Sequence, residues 1–164
     1  MASLQNINAI NDFKQKNITI YLDICCFNRP YDDQTQHRIQ LEAAAKLMIQ
    51  SFIVDRQIDY VWSYVLGFEN AKNPFIEKQN TILAFKQYAN KIIQPNKEIE
   101  KMAIRFQNNG FKAYDSLHIA CAVFAQCDYF LTVDDGVLRK QLPEIKITDP
   151  VVFINKWLKQ RSTQ

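Results

Sequence analysis

Residues 17–23, NITIYLD, put β-branched and aromatic side chains on both parities of one short segment. A strand that is apolar on both parities is buried on both faces, which points to a parallel sheet covered by helices. Similar runs occur at IDYVWS (58–63), KIIQP (91–95), DYFLTV (128–133) and, more weakly, IKIT (145–148). Pro95 stops the third of these.

Helical patterns separate the strands. From about Gln36 to Arg56, Leu41, Ala44, Ala45, Met48, Ile49, Phe52 and Ile53 recur at three- and four-residue steps. This predicts a long amphipathic helix after a Pro30-containing loop (25–36). SYVLGFENAKN (63–73) reads as a short helix, and Pro74 suits the first turn of the next. Asn96 is placed to cap a helix with Glu98 and Glu100 in its first turns and Asn109-Gly110 at its end. YDSLHIACAVFAQ, DGVLRKQL and DPVVFINKWLK are the remaining helices. Strands alternating with helices predict an α/β fold, a three-layer α/β/α sandwich on a parallel sheet of four to five strands.

Composition narrows the chemistry. At 164 residues, 48% hydrophobic and 23% charged, the chain suits one globular domain. Three glycines argue against a glycine-rich phosphate loop. No apolar run approaches the roughly 20 residues that span a bilayer. Residues 1–17 lack the basic-then-apolar order of a signal peptide. They read as a leader before a domain at 18–160, and the expected location is cytoplasmic. Cys25, Cys26, Cys121 and Cys127 do not match a zinc spacing and read as reduced thiols. A net charge of +3 tolerates a polyanionic partner.

In open parallel sheets, ligands bind beyond the carboxyl ends of the strands. Asp23 ends the first strand run, and Asp134 and Asp135 come directly after DYFLTV. Asp115 opens the helix that feeds DYFLTV, so it starts near the same edge. Glu69 continues the Val65–Leu66 stripe of a helix leaving from that edge, where a carboxylate is costly without a partner. Each acid alone has a plain structural explanation. Asp23 can bond its turn, Asp115 can cap a helix, Glu69 can pair with Lys72, and either Asp134 or Asp135 can cap the DGVLRKQL helix. Their joint placement at one edge favours a shared divalent cation. Oxygen-only ligands select a hard ion, Mg2+ or Mn2+, able to activate water and steady charge on a phosphoryl group.

YLDICCFNRPYDDQ, the glutamate of SYVLGFE, YDSLHIACA and FLTVDDGVLRK together, in that order, resemble the PIN-domain ribonucleases over residues 18–150. The resemblance implies a Mg2+- or Mn2+-dependent endoribonuclease that hydrolyses phosphodiester bonds, with Asp23, Glu69, Asp115 and Asp134 as catalytic and metal-binding acids. Thr132 matches the family's small hydroxyl residue before the last acid. Asp135 is expected behind the four acids, pointing toward solvent or capping the next helix. Where many relatives carry Ser, Thr or Asn, Cys25 stands. The family also implies VapC-type toxins restrained by a small antitoxin protein, and homodimers formed through helices. Surplus apolar residues on the helix from Gln36 and on the 74–90 segment (Phe75, Ile82, Phe85, Tyr88) suit such a dimer. RNA is the expected partner, with Arg29, Lys112 and Arg139 nearest the edge for phosphate contact, and Lys46, Lys86 and Lys156 on outer helix faces. A haloacid-dehalogenase-type phosphatase would need an aspartate where Cys25 stands, and a response-regulator receiver fits the strand order worse. The stronger alternative is a PIN-like RNA- or protein-binding module with little catalysis.

Overall fold

The computed structural model describes residues 16–163, so all but the last two residues of the expected leader lie outside it. Among the described residues, five strands form one sheet: β1 (Thr19–Leu22), β2 (Asp59–Ser63), β3 (Lys91–Ile93), β4 (Tyr129–Leu131) and β5 (Lys146–Thr148). Their order is β3-β2-β1-β4-β5, and every pairing is parallel. All four β1 residues are buried, as apolar residues on both parities required.

The chain steps from β1 outward to β2 and β3, then returns to β4 and continues outward to β5. β1 and β4 are therefore neighbours at the point where the winding reverses, with Leu22 opposite Leu131. This reversal opens a crevice beyond the carboxyl ends of β1 and β4.

Eight α-helices of the described residues connect and flank the strands: α1 (Ile24–Asn28), α2 (His37–Val54), α3 (Tyr64–Ala71), α4 (Ile76–Ala84), α5 (Lys97–Asn108), α6 (Ala113–Phe124), α7 (Asp135–Leu138) and α8 (Pro150–Ser162). α2 packs on α8, and α5 on α6. Right-handed crossovers put these pairs on opposite faces of the sheet, giving the expected three layers. α5 starts and stops as its sequence requires. Asn96 Oδ1 accepts from Ile99 N at 3.0 Å, and Gly110 takes a φ of 95° after its last turn.

Three expectations need correction. The predicted loop at 25–36 contains α1 and a 3-10 turn, Arg29–Tyr31. The Asp23 carboxylate caps α1 by accepting from Ile24 N, which starts the helix directly after the strand. The second correction concerns α2, which is helical as predicted but turns a different face inward. Ile39, Glu42, Ala43, Ala45, Lys46, Ile49 and Ile53 are buried, while Leu41, Leu47 and Met48 are exposed. Lys46 is thus inside and not on an outer face. Ile82 and Phe85 also belong to the core, leaving Phe75, Ile76 and Leu83 as the exposed apolar residues of their segment. The four thiols are free. Among the described residues, no helix is long and apolar enough to cross a membrane.

Candidate active site

The sheet register brings Asp23 and Thr132 side by side, because each comes directly after the paired residues Leu22 and Leu131. Asp23 N donates to Leu131 O at 2.9 Å, extending the ladder one step. Thr132 Oγ1, fully buried, donates to Asp23 Oδ2 at 2.8 Å and receives Asp134 N at 3.2 Å. One hydroxyl thus fixes the Asp23 carboxylate and the backbone of Asp134. Cys25 fills the place of the expected small polar residue. Its Sγ lies 3.3 Å from both Asp23 Oδ2 and Thr132 Oγ1 and accepts from Val133 N at 3.4 Å.

Asp134 is the residue that caps the next helix. Its Oδ1 accepts from Gly136 N at 2.7 Å and Val137 N at 3.2 Å. Gly136 makes room for this cap, since a Cβ there would meet Asp134 Oδ1 at 3.0 Å. Asp135 points away and forms a two-pronged pair with Arg38, 2.7 Å from Nη2 and 2.9 Å from Nη1. That guanidinium holds the Asp135 carboxyl below its usual range.

Asp115 lies in the first turn of α6, whose cap position is Lys112. Its half-buried carboxylate accepts no hydrogen bond among the described residues. Burial raises its pKa, and the nearby Asp23 and Asp134 carboxylates raise it further, against smaller opposing effects of His118 and Lys112. These effects on Asp115 mark Asp23 and Asp134 as its electrostatic neighbours at one edge.

Glu69 reaches the group through a residue that sequence reading passed over. His118, 1% exposed, sits one helical turn after Asp115 on α6. Its Nε2 is 2.6 Å from Glu69 Oε2 and 3.9 Å from Asp23 Oδ1. Its Nδ1 is 2.7 Å from Tyr21 Oη, which is 2.5 Å from Ser63 Oγ. An ionised Glu69 can only accept, so Nε2 carries a proton and a neutral His118 accepts from Tyr21 at Nδ1. Burial pushes the Tyr21 hydroxyl well up and keeps it a neutral donor. The i, i+3 spacing of Asp115 and His118 was visible in YDSLH, but nothing local marked the histidine's partner.

The rim cations differ in availability. Arg29 Nε pairs with Glu42 Oε2 at 2.5 Å and Nη1 with Asp32 at 3.0 Å. Glu42, itself 3% exposed, also binds Arg38 Nε at 2.7 Å. Arg29 is therefore tied into an ion-pair network, whereas Lys112 and Arg139 are exposed and make no ion pair among the described residues. Near this edge a cavity of about 340 Å³ runs between Ile24, Tyr31, Glu69 and Lys78. Among the described residues, no three His, Cys, Asp or Glu side chains stand in metal-holding geometry.

No protein-family model matches the chain, and no curated protein matches it. Solved structures do match. One is a chain in the crystal structure of VapBC2 from Rickettsia felis bound to a DNA fragment from its promoter. It has 13% identity and a TM-score of 0.47, covering 80% of this chain and 98% of its own. At that identity and score, the likeness adds nothing to the reading of the site.

Proposed function

We propose that the chain is a Mg2+- or Mn2+-dependent endoribonuclease whose site is built from Asp23, Glu69, Asp115 and Asp134. The observation that carries this reading is Asp115. Its carboxylate has no hydrogen-bond donor among the described residues and faces like charges, a conflict that a divalent cation relieves. The donor set is all oxygen and suits a hard ion. When bound, such an ion supplies Lewis acidity to a phosphodiester and lowers the pKa of an attacking water.

The protein's own groups hold this set in place. Thr132 and Ile24 N restrain the two oxygens of Asp23. His118 orients Glu69 and is itself fixed by Tyr21. Asp134 uses Oδ1 for its cap, and Oδ2 accepts no hydrogen bond from described residues. Lys112 and Arg139 are the exposed cations that support phosphate contact, while Arg29 is held by Glu42 and Asp32. We assign the nuclease to residues 18–160 and the site of action to the cytoplasm. One-domain size suits the toxin of a toxin–antitoxin pair restrained by a small partner protein, and the exposed Leu41, Leu47 and Met48 of α2 suit a homodimer.

The test is cleavage of single-stranded RNA by purified protein with Mn2+. Activity should vanish with EDTA and fall at least about 100-fold in Asp23→Asn, which keeps the helix cap. An Asp23→Asn protein as active as wild type overturns the reading. RNA binding without cleavage by wild type leaves the binding-module alternative.

A further inference from the structure

The cavity beside Glu69 has a composition that the acid site does not explain. Its wall includes Tyr31, Phe75, Lys72, Lys78, Asn28 and Asn73. Lys78 Nζ lies 4.4 Å from the centroid of the Phe75 ring and 5.0 Å from that of Tyr31. Lys72 Nζ lies 4.3 Å and 4.8 Å from the rings of Phe68 and Tyr114, and donates to Tyr114 Oη at 2.8 Å. Neither lysine is among the ion pairs of the described residues. Of the two acids of the wall, Asp32 is paired with Arg29 and Glu69 is hydrogen-bonded to His118. Neither acid forms an ion pair with Lys72 or Lys78 among the described residues, so both ammonium groups line the cavity without a carboxylate partner.

Phe75 is 59% exposed, Phe68 54%, Tyr114 41% and Tyr31 40%. Four large aromatic rings kept in solvent beside unpaired ammonium groups are an expensive surface unless something covers it. The cavity wall is also braced. Asn70 Nδ2 donates to Gln79 O and Gln79 Nε2 to Ala71 O, both at 2.9 Å, locking the start of α4 against the end of α3.

We infer that this cavity is a nucleobase subsite, taking an unpaired base of a single-stranded RNA against Phe75 and Tyr31 while Lys72 and Lys78 hold flanking phosphates. Aromatic faces stack on any base, ammonium groups meet phosphates, and the Asn28 and Asn73 amides offer both donors and acceptors to a base edge. A nucleotide presents all three features together, whereas an apolar peptide leaves the lysines unmatched. The volume suits one nucleotide. Because Glu69 belongs to both the cavity and the acid site, a base held here sets a phosphodiester next to the carboxylates. The inference rests on the ribonuclease reading for its substrate, but binding tests it separately from cleavage.

The experiment measures binding of a short RNA carrying 2-aminopurine to the full chain in EDTA, where turnover is suppressed. Wild type should quench the fluorophore by stacking. Phe75→Ala should abolish the quench and weaken binding about tenfold. Lys72→Gln/Lys78→Gln should weaken binding and flatten its salt dependence. An RNA with an abasic position in place of the probe should bind more weakly to wild type and equally to wild type and Phe75→Ala. Circular dichroism checks that the variants are folded, which the exposure of Phe75 and Lys72 and the partial exposure of Lys78 favour. Unchanged quenching in Phe75→Ala, or no RNA binding by wild type, overturns the subsite. Quenching without cleavage leaves the subsite standing and removes the nuclease. Cleavage with no dependence on Phe75 does the reverse.

Discussion

The inner face of α2 and the acid edge both bury ionised side chains, and they treat them in opposite ways. On α2, Glu42 is enclosed but carries an arginine on each oxygen, Arg29 on Oε2 and Arg38 on Oε1. One turn on, Lys46 finds no carboxylate, only the Phe27 ring at 5.3 Å, and burial pulls its pKa down to about 8. At the acid edge, Asp115 meets Asp23 and Asp134, so its neighbours add to the cost of burial. The first region pairs its buried carboxylate with its own arginines and leaves its buried ammonium easier to deprotonate. The second keeps like charges together, which is the pattern expected where binding a ligand repays the strain.

The largest effect should come from breaking the compensated side of this contrast. Glu42→Ala leaves two arginines facing an emptied, buried position and should destabilise the fold by about 3–5 kcal/mol, measured by urea unfolding. A loss below about 1 kcal/mol would mean that solvent, not Glu42, satisfies Arg29 and Arg38.

Lys46 should give a smaller, pH-dependent change. Its folded pKa is depressed, so between about 8 and its ordinary 10.5 the unfolded chain binds more protons and stability rises with pH. Lys46→Met should be more stable than wild type near pH 7 by at most about 3 kcal/mol, and the advantage should shrink as pH climbs through that window. Thiols and tyrosines titrating there are common to both proteins and cancel in the difference. A constant difference across the window would show that the Lys46 ammonium reaches water.

The smallest stability change separates the acids. Asp115→Asn relieves repulsion and should stabilise by less than about 1 kcal/mol once solvent screening of its half-exposed carboxyl is counted. Since its folded pKa is raised, the gain is present near pH 7 and disappears below the ordinary carboxylate pKa of about 3.9. Cleavage should be lost with it. Asp135→Asn removes an exposed pair with Arg38, should change stability little, and should leave cleavage intact. Reversed activities in these two variants would exchange the roles assigned to their carboxylates.

The strands, most helices and the acids' common edge were legible because each is written in local pattern. Apolar parity marks a buried strand, three- and four-residue steps mark a helix, and alternation of the two dictates parallel winding. Asp23 and Asp134 then had to fall at carboxyl ends of strands, whatever the details of packing. The face of α2 was not legible in the same way. Its run of Ala43, Ala44 and Ala45 flanked by Leu41, Leu47 and Met48 is apolar almost all round, so periodicity could not choose between two stripes. Glu42 chose, through arginines 13 residues earlier and one turn before it. His118 escaped notice for the same reason: Glu69 lies 49 residues away and Tyr21 lies 97. Periodicity is a property of neighbours along the chain, and sequence alone determined what it governs. The partner of a buried charge is set by distance through space, which only the folded sheet and its register decided.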